Sequence, residues 1–262
     1  MTYDRITLAK DQGLATLTLN APEKLNAVSR KMIAEIKDCW ETLAADSSVR
    51  AVVLTGAGRG FCSGLDLKNE MSSDRSMRTA GFRLFDLHNS PPVVLNRMDK
   101  PVICALNGAA AGYGMDLALG CDIRISSDLG KLAGVPVRRG VLPESGGTWY
   151  LPRLVGWAKA CEIGFMADDI DAERALALGL VNAVVPADRV LDEAHRWAAK
   201  IAANAPLAIR AMKRLYRHGL SEDFSSHSHH VLMQLLLLFR SQDFQEGMMS
   251  FMEKRPPKFS GS

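Results

Sequence analysis

The sequence lacks a strong charge of either sign. Its 262 residues include 32 Lys and Arg against 29 Asp and Glu, a net charge of +3 at pH 7. This small positive net charge does not indicate a nucleic-acid partner, although it is compatible with an anionic small ligand. Hydrophobic residues make up 47% of the chain and charged residues 23%, as is usual for a globular protein.

Long apolar runs and paired cysteine motifs are also missing. The longest apolar run, around Leu235–Phe239, is far too short to span a bilayer. Residues 1–10 carry Asp4 and no apolar core, so we expect no signal peptide. The five cysteines form no CxxC pair, and several lie in apolar, strand-like runs. We therefore predict a cytoplasmic protein with buried, reduced thiols and no membrane partner.

Three familiar site motifs do not fit. The glycine cluster at residues 56–64 has Phe61 where the dinucleotide-binding motif needs its third glycine, and Gly64 follows Ser63 too closely for a GxSxG elbow. We interpret the cluster as a backbone-lined turn at which something approaches closely. The histidines at 227, 229 and 230 lack the i, i+4 spacing of a helical zinc site, so we expect surface or interface histidines and no metal.

What the sequence does contain is a change of pattern near residue 200. Strand and helix patterns alternate as far as residue 186, with a hairpin predicted over Ile6–Leu19, a helix capped by Ser29 and a buried strand at Ala51–Thr55. From Asp188 onward the pattern is helical, over residues 190–203, 206–218, 221–239 and 243–254. We therefore predict an α/β part over residues 1–200 and a helical part over 201–262. The last two helices carry more apolar surface than a peripheral hairpin needs, which predicts subunit contacts.

The stretch Pro101–Asp122 combines the elements of a candidate acid/base site. A buried strand at Val102–Leu106 leads through small residues into a helix whose first N–H groups are free to meet an oxyanion. Asp116 lies in the first turn of that helix. The alternative interpretation is a tight strand-to-helix connection followed by an ordinary helix-end charge.

Motifs distributed along the chain resemble the enoyl-CoA hydratase/isomerase family, also called the crotonase family. The resemblance runs from about Tyr3 to Phe259. It is carried by Pro22–Ala27, Gly60–Leu67, Lys100–Arg124, Gly146–Thr148 with Leu151–Arg153, Ala177–Val181 and Glu253–Pro257. It implies a crotonase-type spiral of ββα repeats and a C-terminal helical region that builds a homotrimer, often paired into a hexamer. It also implies an acyl-CoA thioester substrate and no cofactor beyond the coenzyme A of that substrate.

The resemblance assigns roles to individual residues. The family's oxyanion hole corresponds to the backbone N–H groups of Leu65 and Tyr113, the latter replacing a glycine in many relatives. Residues matching the segments that hold coenzyme A are Lys24, Ala27, Ser63, Asp66, Leu67 and Lys68, with the two lysines free to meet phosphates. The polar segment Asn69–Thr79 is expected to lie near the ligand entrance.

The acid/base positions indicate the reaction. Family hydratases use two glutamates; the first corresponds to the shorter Asp116, and the second falls near Pro136 or Val137, neither of which carries a proton. Glu144 matches the carboxylate of family isomerases and some dehalogenases, with an N-cap charge as the alternative interpretation.

We therefore favour an enoyl-CoA isomerase in which Glu144 carries the proton and Asp116 assists it or tunes its pKa. A hydratase, or another family reaction through the same enolate, is the alternative. An oligomeric CoA-binding scaffold is the non-enzyme alternative. The sequence specifies neither the acyl chain nor the choice between trimer and hexamer.

Overall fold

The computed structural model describes residues 2–66 and 90–262, in which two β-sheets are surrounded by helices. The strands, in chain order, are β1 (Ile6–Asp11), β2 (Leu14–Leu19), β3 (Ala51–Gly56), β4 (Val102–Leu106), β5 (Ala109–Ala111), β6 (Ile123–Ser127), β7 (Lys131–Ala133), β8 (Asp169–Asp171) and β9 (Ala183–Val185). The first sheet has the order β1-β2-β3-β4-β6-β9 and the second the order β5-β7-β8.

The helices are named in the same way. They are α1 (Arg30–Ala45), α2 (Pro91–Arg97), α3 (Tyr113–Leu119), α4 (Gly147–Val155), α5 (Trp157–Met166), α6 (Ala172–Ala177), α7 (Val190–Ala202), α8 (Pro206–Gly219), α9 (Phe224–Leu238) and α10 (Gln242–Met252). Short 3₁₀ helices lie at Pro22–Lys24, Val135–Arg139 and Ala187–Arg189.

The predicted hairpin and first helix are confirmed. Strands β1 and β2 pair antiparallel, and the turn between them places Gln12 and Gly13 at φ angles of 46° and 81°. Two successive positive φ values match the right-handed twist of the paired strands. Helix α1 begins where the side chain of Ser29 accepts a hydrogen bond from the backbone N–H of Met32.

The central strands run parallel and are covered on both faces. Every residue of β3 is buried, as is expected for a parallel strand covered on both faces; its one polar side chain, Thr55, donates to the carbonyl of Ala105 at 3.0 Å. Its alternate side chains point to opposite faces, so Val52 packs in the cluster that contains α1 and Val53 packs in the cluster that contains α7. Packing on both faces fixes the carboxyl ends of β3 and β4. The chain segments that follow these strands, residues 57–66 and 107–113, contain the predicted oxyanion residues.

The C-terminal helices follow the predicted ranges within a few residues. Helix α9 begins at Phe224 rather than at the predicted Ser221, because the side chain of Asp223 accepts a hydrogen bond from Ser226 N–H and caps the helix there. Helix α9 contains no buried residue in this single chain, although most of its second half is apolar. The division at residue 200 stays a prediction.

Among the helices at residues 2–66 and 90–262, none has both the length and the apolar character needed to cross a bilayer.

Candidate active site

Residues 62–65 leave the glycine turn and run beside β5. Cys62 N–H donates to the carbonyl of Ala109 at 3.1 Å, and Ala111 N–H donates to the carbonyl of Cys62 at 2.9 Å. These bonds join Cys62 to β5 as a parallel bridge. The segment that carries the predicted oxyanion residue Leu65 is therefore tied to the strand that leads into α3.

On its other side the same segment is joined to Val28. Val28 N–H donates to the carbonyl of Gly64 at 2.8 Å, and Asp66 N–H donates to the carbonyl of Val28 at 3.0 Å. In a parallel bridge these two bonds engage the residues on either side of Leu65, so the N–H and C=O of Leu65 itself point away from Val28. No hydrogen-bond acceptor meets the N–H of Leu65 within the described ranges.

Gly64 brings this segment close to the start of α3. Its φ angle is +96°, and a Cβ at this position would lie 2.9 Å from the carbonyl oxygen of Ala111 and 3.7 Å from the backbone nitrogen of Tyr113. A residue with a side chain would be strained by this φ and pressed against that carbonyl. Glycine therefore lets the backbone that carries Leu65 lie beside the nitrogen of Tyr113.

Helix α3 begins with free N–H groups at this point. Its N-cap is Gly112, at φ 52°, and no side chain caps the helix. The N–H of Tyr113 is one of the first-turn donors that a helix leaves unpaired, and no described residue accepts it. A Cβ on Gly114 would collide with Cys62, so glycine also allows the first turn of α3 to pack on the 62–65 segment. The structure thus brings together the two residues predicted for the oxyanion hole.

Asp116 is buried beneath the start of α4 instead of acting only at the end of its own helix. It is 3% exposed, and its Oδ2 accepts a hydrogen bond from Ser145 N–H at 3.1 Å. It also accepts the N–H of Gly147, at which a Cβ would collide with the Asp116 carboxylate. The carboxylate therefore holds the loop that precedes α4, at the positive end of that helix.

The pKa of Asp116 is raised to about 7. Burial is the main cause, because it penalises the charged carboxylate, and the nearby charge of Glu144 adds to the rise. The N–H groups of Ser145 and Gly147 act in the opposite direction but do not offset the burial. Asp116 therefore changes its protonation state near neutral pH.

Glu144 lies on the loop that Asp116 holds. Its side chain is half-buried and lines a cavity of about 340 Å³ between α2 and the beginning of α4. Burial raises the pKa of Glu144 above the usual range of a glutamate. A carboxylate with a raised pKa at the edge of a cavity is suited to take and return a proton.

The phenol of Tyr113 lies near both carboxylates. Its side chain is 5% exposed, and its hydroxyl has no hydrogen-bond partner among the described residues. Burial raises the pKa of Tyr113 well above its usual value, and the charges of Glu144 and Asp116 raise it further. The site therefore combines two carboxyl groups with two backbone N–H groups and one hydroxyl that have no partner among the described residues, which suits proton transfer beside a developing oxyanion.

Comparison with known proteins identifies the family. The sequence profile described as enoyl-CoA hydratase/isomerase matches residues 9–262. The chain belongs to the enoyl-CoA hydratase/isomerase family. It is 34% identical to the 1,2-epoxyphenylacetyl-CoA isomerase of Escherichia coli K12 over 253 residues, covering 96% of each chain. It is 35% identical to the crotonyl-CoA hydratase of Syntrophomonas wolfei over 264 residues, covering 99% of each chain.

Solved structures agree with this assignment. The chain superimposes on an enoyl-CoA hydratase from Bacillus anthracis with a TM-score of 0.93 and 29% identity, covering 99% of this chain and 100% of that one. The predicted α/β class with a crotonase-type core and C-terminal helices is confirmed. The protein is an enzyme of the enoyl-CoA hydratase/isomerase family, whose members act on CoA thioesters.

Of the residues expected to hold coenzyme A, the four that the structure describes lie near one another: Lys24, Ala27, Ser63 and Asp66. Ser63 Oγ donates to the carbonyl of Lys24 at 3.1 Å, and Ala27 N–H donates to the same carbonyl at 3.1 Å. The resemblance predicts a free ammonium group at Lys24, but this group forms an ion pair with the buried Asp66 at 2.8 Å. A phosphate at Lys24 would therefore compete with Asp66.

Part of the predicted CoA-binding segment falls outside the described residues. Leu67, Lys68 and the predicted entrance segment Asn69–Thr79 all lie there. Their assignments stay predictions.

Asn26 has a structural role that sequence reasoning did not identify. It is fully buried; its Oδ1 accepts Ala21 N–H at 2.9 Å, and its Nδ2 donates to the carbonyls of Ala57 and Gly60 at 2.9 Å each. It thereby joins the Pro22–Ala27 motif to the glycine turn. The signal was present, because Asn26 stands inside a motif that carried the resemblance.

The glycine turn is packed against the protein's own backbone. A Cβ on Gly56 would lie 2.6 Å from the carbonyl oxygen of Gly60 and 2.8 Å from Nδ2 of Asn26. A Cβ on Gly108 would collide with the carbonyl of Arg59. Neighbouring segments of the same chain therefore make the close backbone approach that was predicted for this cluster.

The two residues expected to match the second hydratase carboxylate, Pro136 and Val137, are apolar. Pro136 is buried in the 3₁₀ helix Val135–Arg139, and a Cβ on Gly112 would lie 3.9 Å from its Cγ. The pyrrolidine ring thus lies beside the N-cap of α3. Val137, the alternative match, is 46% exposed.

The remaining reactive side chains have structural surroundings. Cys62 is fully buried, and burial raises the pKa of its thiol to about 12, which keeps it protonated and agrees with the packing role expected for it. His227 and His230 both contact Glu222, through Nδ1 atoms at 2.7 and 2.8 Å. In the part of the chain that the structure describes, no cluster of metal-ligating side chains is found.

Proposed function

We propose that this enzyme moves a carbon–carbon double bond within an enoyl-CoA thioester, with Glu144 as the proton carrier. The observation that carries the proposal is the position of Glu144, half-buried at the edge of a cavity with a raised pKa. The site supplies no carboxylate at Pro136 or Val137, so the pair of glutamates that orients water in family hydratases is incomplete.

The reaction proceeds through an enolate. Glu144 takes a proton from C2 of a 3-enoyl thioester; the electron pair of that C–H bond forms C1=C2, and the π pair of the carbonyl moves onto the thioester oxygen while C3=C4 stays in place. In the dienolate between these two states the negative charge rests on the thioester oxygen, which accepts hydrogen bonds from the N–H groups of Leu65 and Tyr113. Glu144 then returns the proton to C4, whose new C–H bond takes the C3=C4 electron pair. The C1=C2 pair becomes C2=C3 and the carbonyl reforms, which leaves the conjugated 2-enoyl product. Each N–H donor to such an oxyanion typically contributes about 3–4 kcal/mol to lowering the barrier.

Asp116 positions Glu144 in this scheme. Its two bonds to the N–H groups of Ser145 and Gly147 hold the loop that carries the catalytic carboxylate. The position of Glu144 matters, because a shift of about 1 Å can reduce the rate a hundredfold.

A hydratase reaction is the second candidate. Relatives of similar identity carry hydratase names, among them the crotonyl-CoA hydratase of Syntrophomonas wolfei. Asp116, with a pKa of about 7, has a proton to offer near neutral pH. In that case Glu144 and Asp116 would share the activation of water and the protonation of C2.

The coenzyme A portion of the substrate would lie along the segments around Ala27 and Ser63. Asp66 fixes the side chain of Lys24 between these segments. Lys24 and Lys68 are the proposed phosphate contacts, with Leu67 beside the pantetheine.

The functional unit would be a homotrimer or a hexamer made of two trimers. Support comes from α9, which has no buried residue in the single chain while Leu232, Leu236 and Leu237 are each about half exposed or more, at 50%, 49% and 64%. Apolar surface of this extent on one helix is typical of a subunit interface.

The same protein would work in the cytoplasm. All five cysteines are free, and four of them are buried, which is the usual state in a reducing compartment.

The experiment offers purified protein a 3-enoyl-CoA and, separately, a 2-enoyl-CoA in D₂O. The isomerase proposal expects a conjugated thioester from the 3-enoyl substrate and a fall of about 10²–10⁴ in kcat for Glu144→Gln, the usual contribution of a general base. Glu173→Gln, at an exposed glutamate in the first turn of α6, is the matched control and should keep full activity. Water addition to the 2-enoyl substrate at a comparable rate would favour the hydratase instead.

A further inference from the structure

Two cavities meet behind Glu144. The first, of about 340 Å³, is the one lined by Glu144. The second, of about 240 Å³, lies between α2, α3, α4 and α8. Asn96, Trp149 and Tyr150 line both cavities, so these three side chains form the partition between them.

A hydrogen bond across the partition closes it. Nδ2 of Asn96, on α2, donates to the hydroxyl oxygen of Tyr150, on α4, at 2.9 Å. Both side chains are half-buried, and burial raises the pKa of Tyr150, so its phenol stays neutral. The partition therefore joins two helices by a bond between uncharged groups, which a ligand can approach without displacing an ion.

The ring of Tyr150 is fixed against the loop that carries Glu144. A Cβ on Gly146 would lie 2.9 Å from Cε2 of Tyr150, so the ring rests directly on that glycine. Trp149 meets Tyr150 edge to face at 5.0 Å, and the guanidinium of Arg153 lies 4.0 Å from the centre of the Trp149 ring. These contacts leave the Tyr150 ring little freedom to rotate out of the partition.

The two cavities differ in what they could do. On the near side, Pro92, Val93 and Trp149 provide apolar wall next to the carboxylate of Glu144. On the far side, Leu95, Leu119 and Leu154 provide apolar wall, and the cavity is also lined by the charged residues Asp122, Arg124, Arg153, Lys213 and Arg217. Among the described residues, neither Glu144 nor Asp116 lines the far cavity, so it offers room without the catalytic groups.

We infer that the Asn96–Tyr150 pair limits the length of the acyl group that this enzyme accepts. The inference rests on the proposed function in one respect, namely that the acyl chain of a CoA thioester occupies the cavity beside Glu144. The chain extends from the thioester along α2 and ends at the Tyr150 ring. The far cavity is closed to it, so chains too long for the near cavity are excluded.

The volumes set the scale of the effect. At ~30 Å³ for each water-sized group, the near cavity holds roughly eleven such groups and the far cavity would add roughly eight. Removing the ring of Tyr150 joins the two spaces. Each buried methylene that then leaves water should favour binding of the longer chain.

The test uses saturated acyl-CoA thioesters, butyryl-CoA and dodecanoyl-CoA, whose binding is measured by calorimetry. Their affinities report the cavity alone, because they have no double bond to hydrate or move. The measured quantity is the dissociation constant of dodecanoyl-CoA divided by that of butyryl-CoA. This ratio should be at least about tenfold lower in Tyr150→Ala than in the wild type, because the longer chain gains room. Tyr150→Phe, which keeps the ring and loses the hydroxyl, should change the ratio by less than about threefold.

The outcomes separate this inference from the proposed reaction. A shifted ratio in Tyr150→Ala supports the length limit even if neither enoyl-CoA substrate reacts. An unchanged ratio in a folded Tyr150→Ala protein overturns it even if the isomerase assay succeeds. If Tyr150→Ala does not fold, Tyr150→Leu replaces it, and the same ratio decides in the same way.

Discussion

Replacing Asp116 by Asn should change how the stability of this protein depends on pH. The carboxylate is 3% exposed and its pKa is raised to about 7, mainly by burial. In an unfolded chain the same group would have a pKa of about 3.9. The folded protein therefore binds the proton of Asp116 more tightly than the unfolded chain does.

The sign of the effect follows from this difference. Because the folded-state pKa lies above the unfolded one, the contribution of Asp116 to stability is fully present below about pH 4. It is lost as the pH rises through the folded-state pKa of about 7. At ~1.4 kcal/mol for each pH unit that separates the two pKa values, wild-type protein should lose roughly 4 kcal/mol from this group between pH 4 and pH 8.

The side-chain amide of the Asp116→Asn variant cannot ionise, so the variant should not show this loss. Near pH 4 the amide resembles the protonated acid in shape, and the variant should differ little from wild type. In the variant, one of the N–H groups of Ser145 and Gly147 faces the amide NH₂, which cannot accept a hydrogen bond; the loss costs about 1–3 kcal/mol. The wild type has part of this cost when Asp116 is protonated, because the O–H of the acid cannot accept that bond either. By pH 8 the variant should have gained several kcal/mol relative to wild type.

Urea unfolding of both proteins at one protein concentration, at each pH from 4 to 8, measures the difference. Asp243→Asn is the control, since Asp243 is equally buried at 3% but binds the N–H groups of Ser260 and Gly261 near the C-terminus. A difference between wild type and Asp116→Asn that stays constant across this range would refute the reasoning. It would mean that Asp116 remains ionised when buried and that its two N–H donors outweigh the effect of burial.

Three further results are expected. Gly64→Ala should lower kcat/KM about a hundredfold, because its Cβ would lie 2.9 Å from the carbonyl oxygen of Ala111 and would displace the N–H of Leu65. The acid limb of the kcat/KM profile should lie above the usual pKa of a glutamate, because Glu144 must lose its proton to act as a base and burial raises its pKa. Leu236→Glu should separate the subunits in sedimentation experiments, because it places a charge on the apolar face of α9, where Leu236 is 49% exposed in the single chain.

Each of these has a control and an opposing outcome. Gly140→Ala shares a positive φ, at +71°, but a Cβ there meets nothing within 4 Å, so activity should persist; equal losses in both variants would exclude a specific role for Gly64. An acid limb near the value of about 4.3 for a free glutamate would show that Glu144 is no more basic than a glutamate in water. Leu129→Glu, at a leucine 69% exposed in the turn between β6 and β7, should leave the oligomer intact. A monomer already in the wild type would contradict the subunit proposal.

The sequence correctly predicted the elements that depend on residues close together in the chain. Ser29 caps α1 because its hydroxyl accepts an N–H only three residues away. The alternation of β2 and the continuous burial of β3 follow from whether one or both faces of the strand are covered. The start of α9 was misplaced by three residues, because the apolar pattern does not locate the cap that Asp223 forms with Ser226 N–H.

The candidate site was harder to read, because its decisive contacts join distant segments. Sequence reasoning placed Asp116 beside the start of its own helix, whereas its carboxylate binds N–H groups 29 and more residues away at the start of α4. Lys24 looked free in the sequence, but folding brings Asp66 within 2.8 Å of it. The Asn96–Tyr150 pair, 54 residues apart, had no sequence signal at all.

The sequence by itself determined the family, the alternation of strands and helices followed by a helical C-terminal part, and the identity of the two candidate carboxyl groups. These depend on side-chain periodicity, on caps a few residues apart and on motifs in a fixed order, all of which are properties of a linear chain. Tertiary structure alone decided which carboxylate holds the loop and which faces the cavity. It also decided that Leu65 comes beside Tyr113 and that Tyr150 closes the space behind Glu144. The physical reason is that burial and hydrogen bonding between distant backbone segments set these relations, and neither exists until the chain has folded.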